Sequence, residues 1–126
     1  MSNRLKILII DDDPAVCAII RARFETKEGH KVSVANTGDD GLALARKEKP
    51  DVILLDWMLP DTTGVAVLES LKGENRTAWV PVYMLTSRST MADVEKALAR
   101  GASGYFTKPV KLLEISNRVN RLAEAA

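Results

Sequence analysis

The chain contains a single cysteine, Cys17. No internal disulfide can staple the fold, which must rest on its core alone, as suits a reducing compartment. Long hydrophobic runs are also missing, and no stretch approaches the ~20 apolar residues that a membrane-spanning helix needs. The N-terminal MSNRLKILIID meets acids too early for a signal-peptide core, so a cytoplasmic location is expected. There is no excess of charge of either sign. With 18 basic and 17 acidic residues, nothing draws the chain towards nucleic acid or an anionic membrane. Internal repeats, low-complexity stretches and interdomain linkers are absent too. A chain of 126 residues is long enough for one hydrophobic core. The expected organisation is one domain over residues 1–126 with no output domain attached.

What is present is a series of short apolar runs: LKILII at 5–10, KVSVA at 31–35, DVILL at 51–55, VPVYML at 80–85 and GYFT at 104–107. The first, third and fourth are nearly continuous in Val, Ile and Leu, as strands buried on both faces require. Helical signals lie between them. Thr37 and Thr90 are each followed three residues later by an acid, Asp40 and Asp93, in the form of a capping box. Pro14 suits a first helical turn, and Gly29, Gly73 and Gly101 suit helix ends. Leu112, Ile115, Val119 and Leu122 share one face at helical spacing. Five strands alternating with five helices predict an α/β fold, a doubly wound parallel sheet with helices on both faces. The order 2-1-3-4-5 is the flavodoxin-like arrangement, with its switch point between strands 1 and 3.

In such sheets ligands bind beyond the carboxyl ends of the strands at the switch point. Strand 1 runs into Asp11 and Asp12, and strand 3 ends at Asp56, so three carboxylates are expected at one rim. Like charges held together raise one another's pKa unless a cation relieves them, and clustered oxygens suit a hard divalent ion such as Mg²⁺. Asp13, just before Pro14, reads more simply as a helix N-terminal residue. Strands 4 and 5 reach the same rim with Thr86 from MLTS and Lys108 from FTKP. A hydroxyl, an ammonium and a metal-bound carboxylate are what phosphoryl transfer needs: charges to neutralise the phosphoryl oxygens and an oxygen to accept the group.

With IIDDDP, LLDWMLPDTTG, MLTS and GYFTKPV in this order and spacing, the chain resembles the receiver domain of two-component response regulators, of the chemotaxis-receiver kind. The resemblance covers essentially all 126 residues. It implies a phosphoacceptor domain that takes a phosphoryl group from a sensor histidine kinase or phosphotransfer protein, with Mg²⁺ as cofactor. It implies no enzyme beyond self-phosphorylation from a donor and autodephosphorylation. Asp56 matches the phosphoacceptor. Asp11, Asp12 and the main-chain carbonyl of Met58 match the other metal-binding positions. Lys108 matches the phosphate-binding lysine, Thr86 and Tyr105 the switch pair, and the Lys108–Pro109 bond is typically cis in the family. The implied output is a change in the face formed by helix 4, strand 5 and helix 5, read by a downstream protein, with no direct contact to nucleic acid or membrane.

Several residues depart from the family's habits. Ser87 stands where Ala is usual, Trp57 directly follows Asp56 and could screen it from water, and Met58 and Arg88 occupy positions that tune phosphoryl lifetime. GASGY lacks the acids that some DNA-binding regulators use across a receiver dimer, so a monomer or weak dimer is expected. His30 reads as a surface turn residue and Cys17 as a plain structural thiol. Arg118 and Arg121 read as a solvated helix face. The rival reading is a haloacid-dehalogenase-type phosphatase with Asp11 as nucleophile, since Asp11-Asp12-Asp13 has the D-x-D form. However, Pro14-Ala15 breaks its continuation, and KPVKLLE lacks the acidic pair it needs. A flavodoxin-like cofactor binder is disfavoured because three carboxylates would repel a cofactor phosphate.

Overall fold

The computed structural model describes residues 4–87 and 90–125. Each near-continuous apolar run forms a strand whose alternating side chains feed two different cores. In β1 (Lys6–Ile10), Leu8 and Ile10 enter one cluster while Ile7 and Ile9 enter the other. β3 (Val52–Asp56) and β4 (Val82–Thr86) divide in the same way, and every residue of both is buried. This is why their sequences read as unbroken hydrophobic runs rather than alternating ones. β2 (Lys31–Ala35) and β5 (Gly104–Thr107) form the edges of a parallel sheet in the order β2-β1-β3-β4-β5, the predicted flavodoxin-like arrangement.

The helices cover both faces. α1 (Pro14–Ala22) and α5 (Leu112–Ala125) pack on one side through Cys17, Ile20, Ile115 and Val119. α2 (Gly38–Glu48), α3 (Gly64–Gly73) and α4 (Met91–Ala99) pack on the other through Ala45, Val65, Leu68, Leu71 and Ala97. At ~1.5–3 kcal/mol for each large aliphatic side chain removed from water, these two layers hold the sheet between them. No helix among the described residues is long and apolar enough to cross a membrane.

Local signals act where the sequence places them. Asp13 is the N-cap of α1, accepting from the N–H groups of Ala15 and Val16 at 2.9 and 3.3 Å. Thr37 caps α2 through the Asp40 N–H. Thr90 caps α4 through the Asp93 N–H, while its hydroxyl donates to the Asp93 carboxylate at 2.8 Å, a variant of the expected box. The fourth run pairs from Val82 rather than Val80, because Pro81 has no N–H to give the ladder. Conversely, β3 and β4 extend to Asp56 and Thr86, so both residues are held by strand backbone.

Two features differ from the sequence reading. α1 runs on into a π-helical turn, Arg23–Lys27. His30 is not a surface residue: it is 4% exposed. The Leu5 N–H donates to its Nδ1 at 3.1 Å, and its Nε2 faces the Asn120 Oδ1 at 2.9 Å, a pattern that assigns the ring proton to Nε2. Asn120 Nδ2 and the Ser116 hydroxyl in turn donate to Glu28, at 3.1 and 2.6 Å. The Ser116 hydrogen bond is the largest of the effects that hold the Glu28 carboxyl below the usual range. The network ties the middle of α5 to the start of β1 and the α1–β2 connection. Replacing a bonded buried ring by an apolar one strands its partners, which costs about 1–3 kcal/mol. His30→Phe should therefore lose that much in urea unfolding, whereas a surface turn residue would change stability by less than ~0.5 kcal/mol.

Candidate functional site

The sheet register builds the site. Ile10 pairs with Leu55, so the next residues on the two strands, Asp11 and Asp56, emerge side by side at the carboxyl rim. Asp12 follows at the surface. One carboxylate oxygen from each of Asp11, Asp12 and Asp56 lies within 4.8 Å of the others. Lys108 enters from the end of β5, where its N–H donates to the Thr86 carbonyl at 2.8 Å and the Lys108–Pro109 bond is cis. Its ammonium stands 2.9 Å from Asp11 Oδ2 and 3.2 Å from Asp56 Oδ1. Four of the residues singled out in the sequence thus converge.

Asp11 is fully buried and held from three sides. Its Oδ1 accepts from the Asp13 N–H at 2.9 Å. Its main-chain carbonyl accepts from the Asn36 amide at 2.9 Å and from the Cys17 thiol at 3.4 Å. Asn36 is a site residue that the sequence motifs do not single out, although its place just after β2, at the same rim, is a signal. The Cys17 thiol is pushed up to about 11, by burial first and then by the charges of Asp11 and Asp13, so the plain structural reading of this residue stands.

The loop after Asp56 is folded tightly back on itself. The Gly64 N–H donates to the Trp57 carbonyl at 2.7 Å, and Leu59 N–H to the Thr62 carbonyl at 3.1 Å, with Met58 bridged to Thr63. A Cβ at Gly64 would collide with the Asp56 carbonyl oxygen, so only glycine permits this approach. The Met58 side chain faces solvent, while Trp57 is buried in the core shared with Leu55 and Leu59. Thr86 is buried at the end of β4 and Ser87 is exposed beside it. Tyr105 lies away from the carboxylates, paired with Met84 on the edge strand and 43% exposed. Arg118 and Arg121 are exposed as expected, and the Arg118 guanidinium stands 5.8 Å from the centre of the Tyr83 ring. Arg88 lies outside the described residues.

The electrostatics match the geometry. The Asp56 carboxyl is pushed up to about 6, by burial first and by the Asp11 charge second, with Lys108 opposing both. For Lys108, burial alone would lower the pKa. Hydrogen bonds and charge from Asp11 and Asp56 outweigh it and raise the ammonium above its ordinary value. These residues fit a hard divalent cation. The donors are carboxylate oxygens, one from each of three residues gathered within 4.8 Å of one another.

A raised carboxyl pKa means that the folded state binds a proton more tightly than the unfolded one. Asp56 therefore favours folding below about pH 4 and loses that contribution as pH rises through about 6. In metal-free buffer Asp56→Asn should be more stable than wild type at pH 7, by about 1 kcal/mol. The gap should narrow as pH falls from 6 to 4, as followed by urea unfolding at a series of pH values.

Comparison with known proteins agrees with this geometry. Residues 7–120 match the family described as the response regulator receiver domain. The chain is 41% identical over 117 residues to the DNA-binding dual master transcriptional regulator RpaA of Synechocystis sp., a match covering 93% of this chain and 48% of RpaA. It is 40% identical over 105 residues to Protein PilH of Pseudomonas aeruginosa, covering 83% of this chain and 86% of PilH. The chain thus spans about half the length of some of the curated relatives it matches. Among solved structures, the receiver domain of the Francisella response regulator 1452 superposes with a TM-score of 0.89 at 32% identity, covering 97% of this chain and 98% of that one. The chemotaxis response regulator CheY4 of Vibrio cholerae gives 0.86 at 25% identity, covering 95% and 99%. The phosphatase alternative finds no support here, and the fully buried Asp11, with one oxygen bonded to a backbone N–H and the other against Lys108, is poorly placed as a nucleophile. The chain belongs to the response regulator receiver domains of two-component systems.

Proposed function

We propose that Asp56 is the phosphoacceptor of this receiver. The observation that carries the reading is the convergence of Asp11, Asp12, Asp56 and the Lys108 ammonium at one rim. An Asp56 carboxylate oxygen attacks the phosphorus of a phosphohistidine in a sensor kinase or phosphotransfer protein. The new O–P bond forms as the P–N bond breaks, and the electron pair returns to the imidazole. Hydrolysis reverses the state: water attacks the same phosphorus, the Asp56 O–P bond breaks, and inorganic phosphate leaves. Both steps are self-catalysed by the receiver, which otherwise performs no turnover.

The Asp11, Asp12 and Asp56 carboxylates and the Met58 main-chain carbonyl would hold Mg²⁺. When bound, the ion neutralises phosphoryl oxygens and relieves the repulsion among the carboxylates. Lys108, against both Asp11 and Asp56, contributes a second positive charge, and the Thr86 hydroxyl donates to a phosphoryl oxygen. As Thr86 is drawn towards the phosphoryl group it vacates space beside β4. Tyr105, now partly in solvent, turns inward and changes the α4–β5–α5 face. The phosphoryl group can bias that face only through contacts that differ between the two arrangements. We place the protein in the cytoplasm as one receiver unit over residues 1–126, a monomer or weak dimer whose output is a protein partner rather than nucleic acid.

Incubation with a small acyl phosphate and Mg²⁺ should add one phosphoryl mass to the intact chain, and chelation of the cation should suppress it. Asp56→Asn should abolish the gain. Labelling that persists in Asp56→Asn would remove this residue as acceptor.

A further inference from the structure

The tip of the loop that follows Asp56 is clasped by a different element. Asp61 Oδ1 accepts from the Gly38 N–H at 2.8 Å, and its Oδ2 accepts from the Asp39 N–H at 3.0 Å. One carboxylate thus takes two of the backbone donors that the first turn of a helix leaves open, although Thr37 already caps the same helix. The two N–H groups hold the Asp61 carboxyl below the usual carboxylate range. The helix is shaped to accept the loop as well: a Cβ at Gly38 would collide with the Thr62 methyl group. At its base the loop is closed by the Gly64 N–H to the Trp57 carbonyl and by the Met58–Thr63 bridge. Met58 lies between that closure and the clasped tip.

We propose that Asp61 is a positioning residue for the cation site, acting as a latch that fixes the Met58 carbonyl by anchoring its loop to the start of α2. The proposal rests on the reading that this carbonyl is a cation ligand. Two rigid points, the Gly64 closure and the Asp61 clasp, leave the intervening backbone little freedom, so the carbonyl is preset before a cation arrives. Losing the outer partners that orient a ligand weakens metal binding even when every ligand remains. A carboxylate that served only to cap α2 would affect stability and leave cation affinity alone.

Mg²⁺ titration followed by Trp57 fluorescence separates these roles, with Trp79→Phe in every protein so that Trp57 alone reports. Asp61→Ala should weaken Mg²⁺ by about tenfold. Thr37→Ala destabilises the same helix without touching the loop, and Asp39→Ala removes an exposed charge from the same helix end. Both should bind Mg²⁺ as the wild type does. Should Asp61→Ala fail to fold, Gly38→Ala carries the same test from the other side of the contact. Wild-type affinity in Asp61→Ala overturns the latch, as does an equal loss in Thr37→Ala or Asp39→Ala. Asp12→Ala tells the two readings apart. If it too binds normally, the cation site fails together with the latch; if it alone loses binding, only the latch fails.

Discussion

Three carboxylates and one ammonium share a few ångströms at the end of a hydrophobic sheet, and the rest of the molecule is arranged around that imbalance. Lys108 stands against Asp11 and Asp56, at 2.9 and 3.2 Å, yet its single charge leaves a formal surplus of negative charge that Asp12 enlarges. Burial makes the surplus costly, and the raised Asp56 pKa is its signature. A site left in this condition is responsive. A cation brought to the site would release free energy by relieving that repulsion.

The sheet makes the strain possible. Parallel strands buried on both faces give a rim whose spacing is fixed by backbone ladders, so Asp11 and Asp56 cannot move apart to relieve their repulsion. Asn36 and Cys17 hold the Asp11 carbonyl from two neighbouring elements, and Gly64 brings the following loop against Asp56 where no side chain would fit. On the far side, His30, Asn120, Ser116 and Glu28 anchor the middle of α5.

The fold and the carboxylate cluster were legible because both follow from short-range patterns. Strands 1, 3 and 4 announce themselves as unbroken aliphatic runs, and the strand order then places their terminal acids together. What could not be read depends on partners far away in sequence. His30 looks like a turn residue beside Gly29, and only Leu5 and Asn120, 25 and 90 positions away, show that its ring is enclosed. Asp61 reads as one more polar residue in a loop until Gly38 and Asp39 are seen opposite it. The π-helical turn at Arg23–Lys27 has no composition of its own, since a helical sequence does not reveal a local slip in hydrogen-bond register.

Burial and the Asp11 charge hold the Asp56 carboxyl high, a state that a bound cation would relieve. Carboxyl-carbon NMR of Asp56 across a pH titration, with and without Mg²⁺, tests it most directly. A midpoint at about 6 in metal-free buffer, falling sharply when Mg²⁺ is added, is the predicted result. An Asp56 that titrates in the ordinary carboxylate range and ignores Mg²⁺ would contradict it.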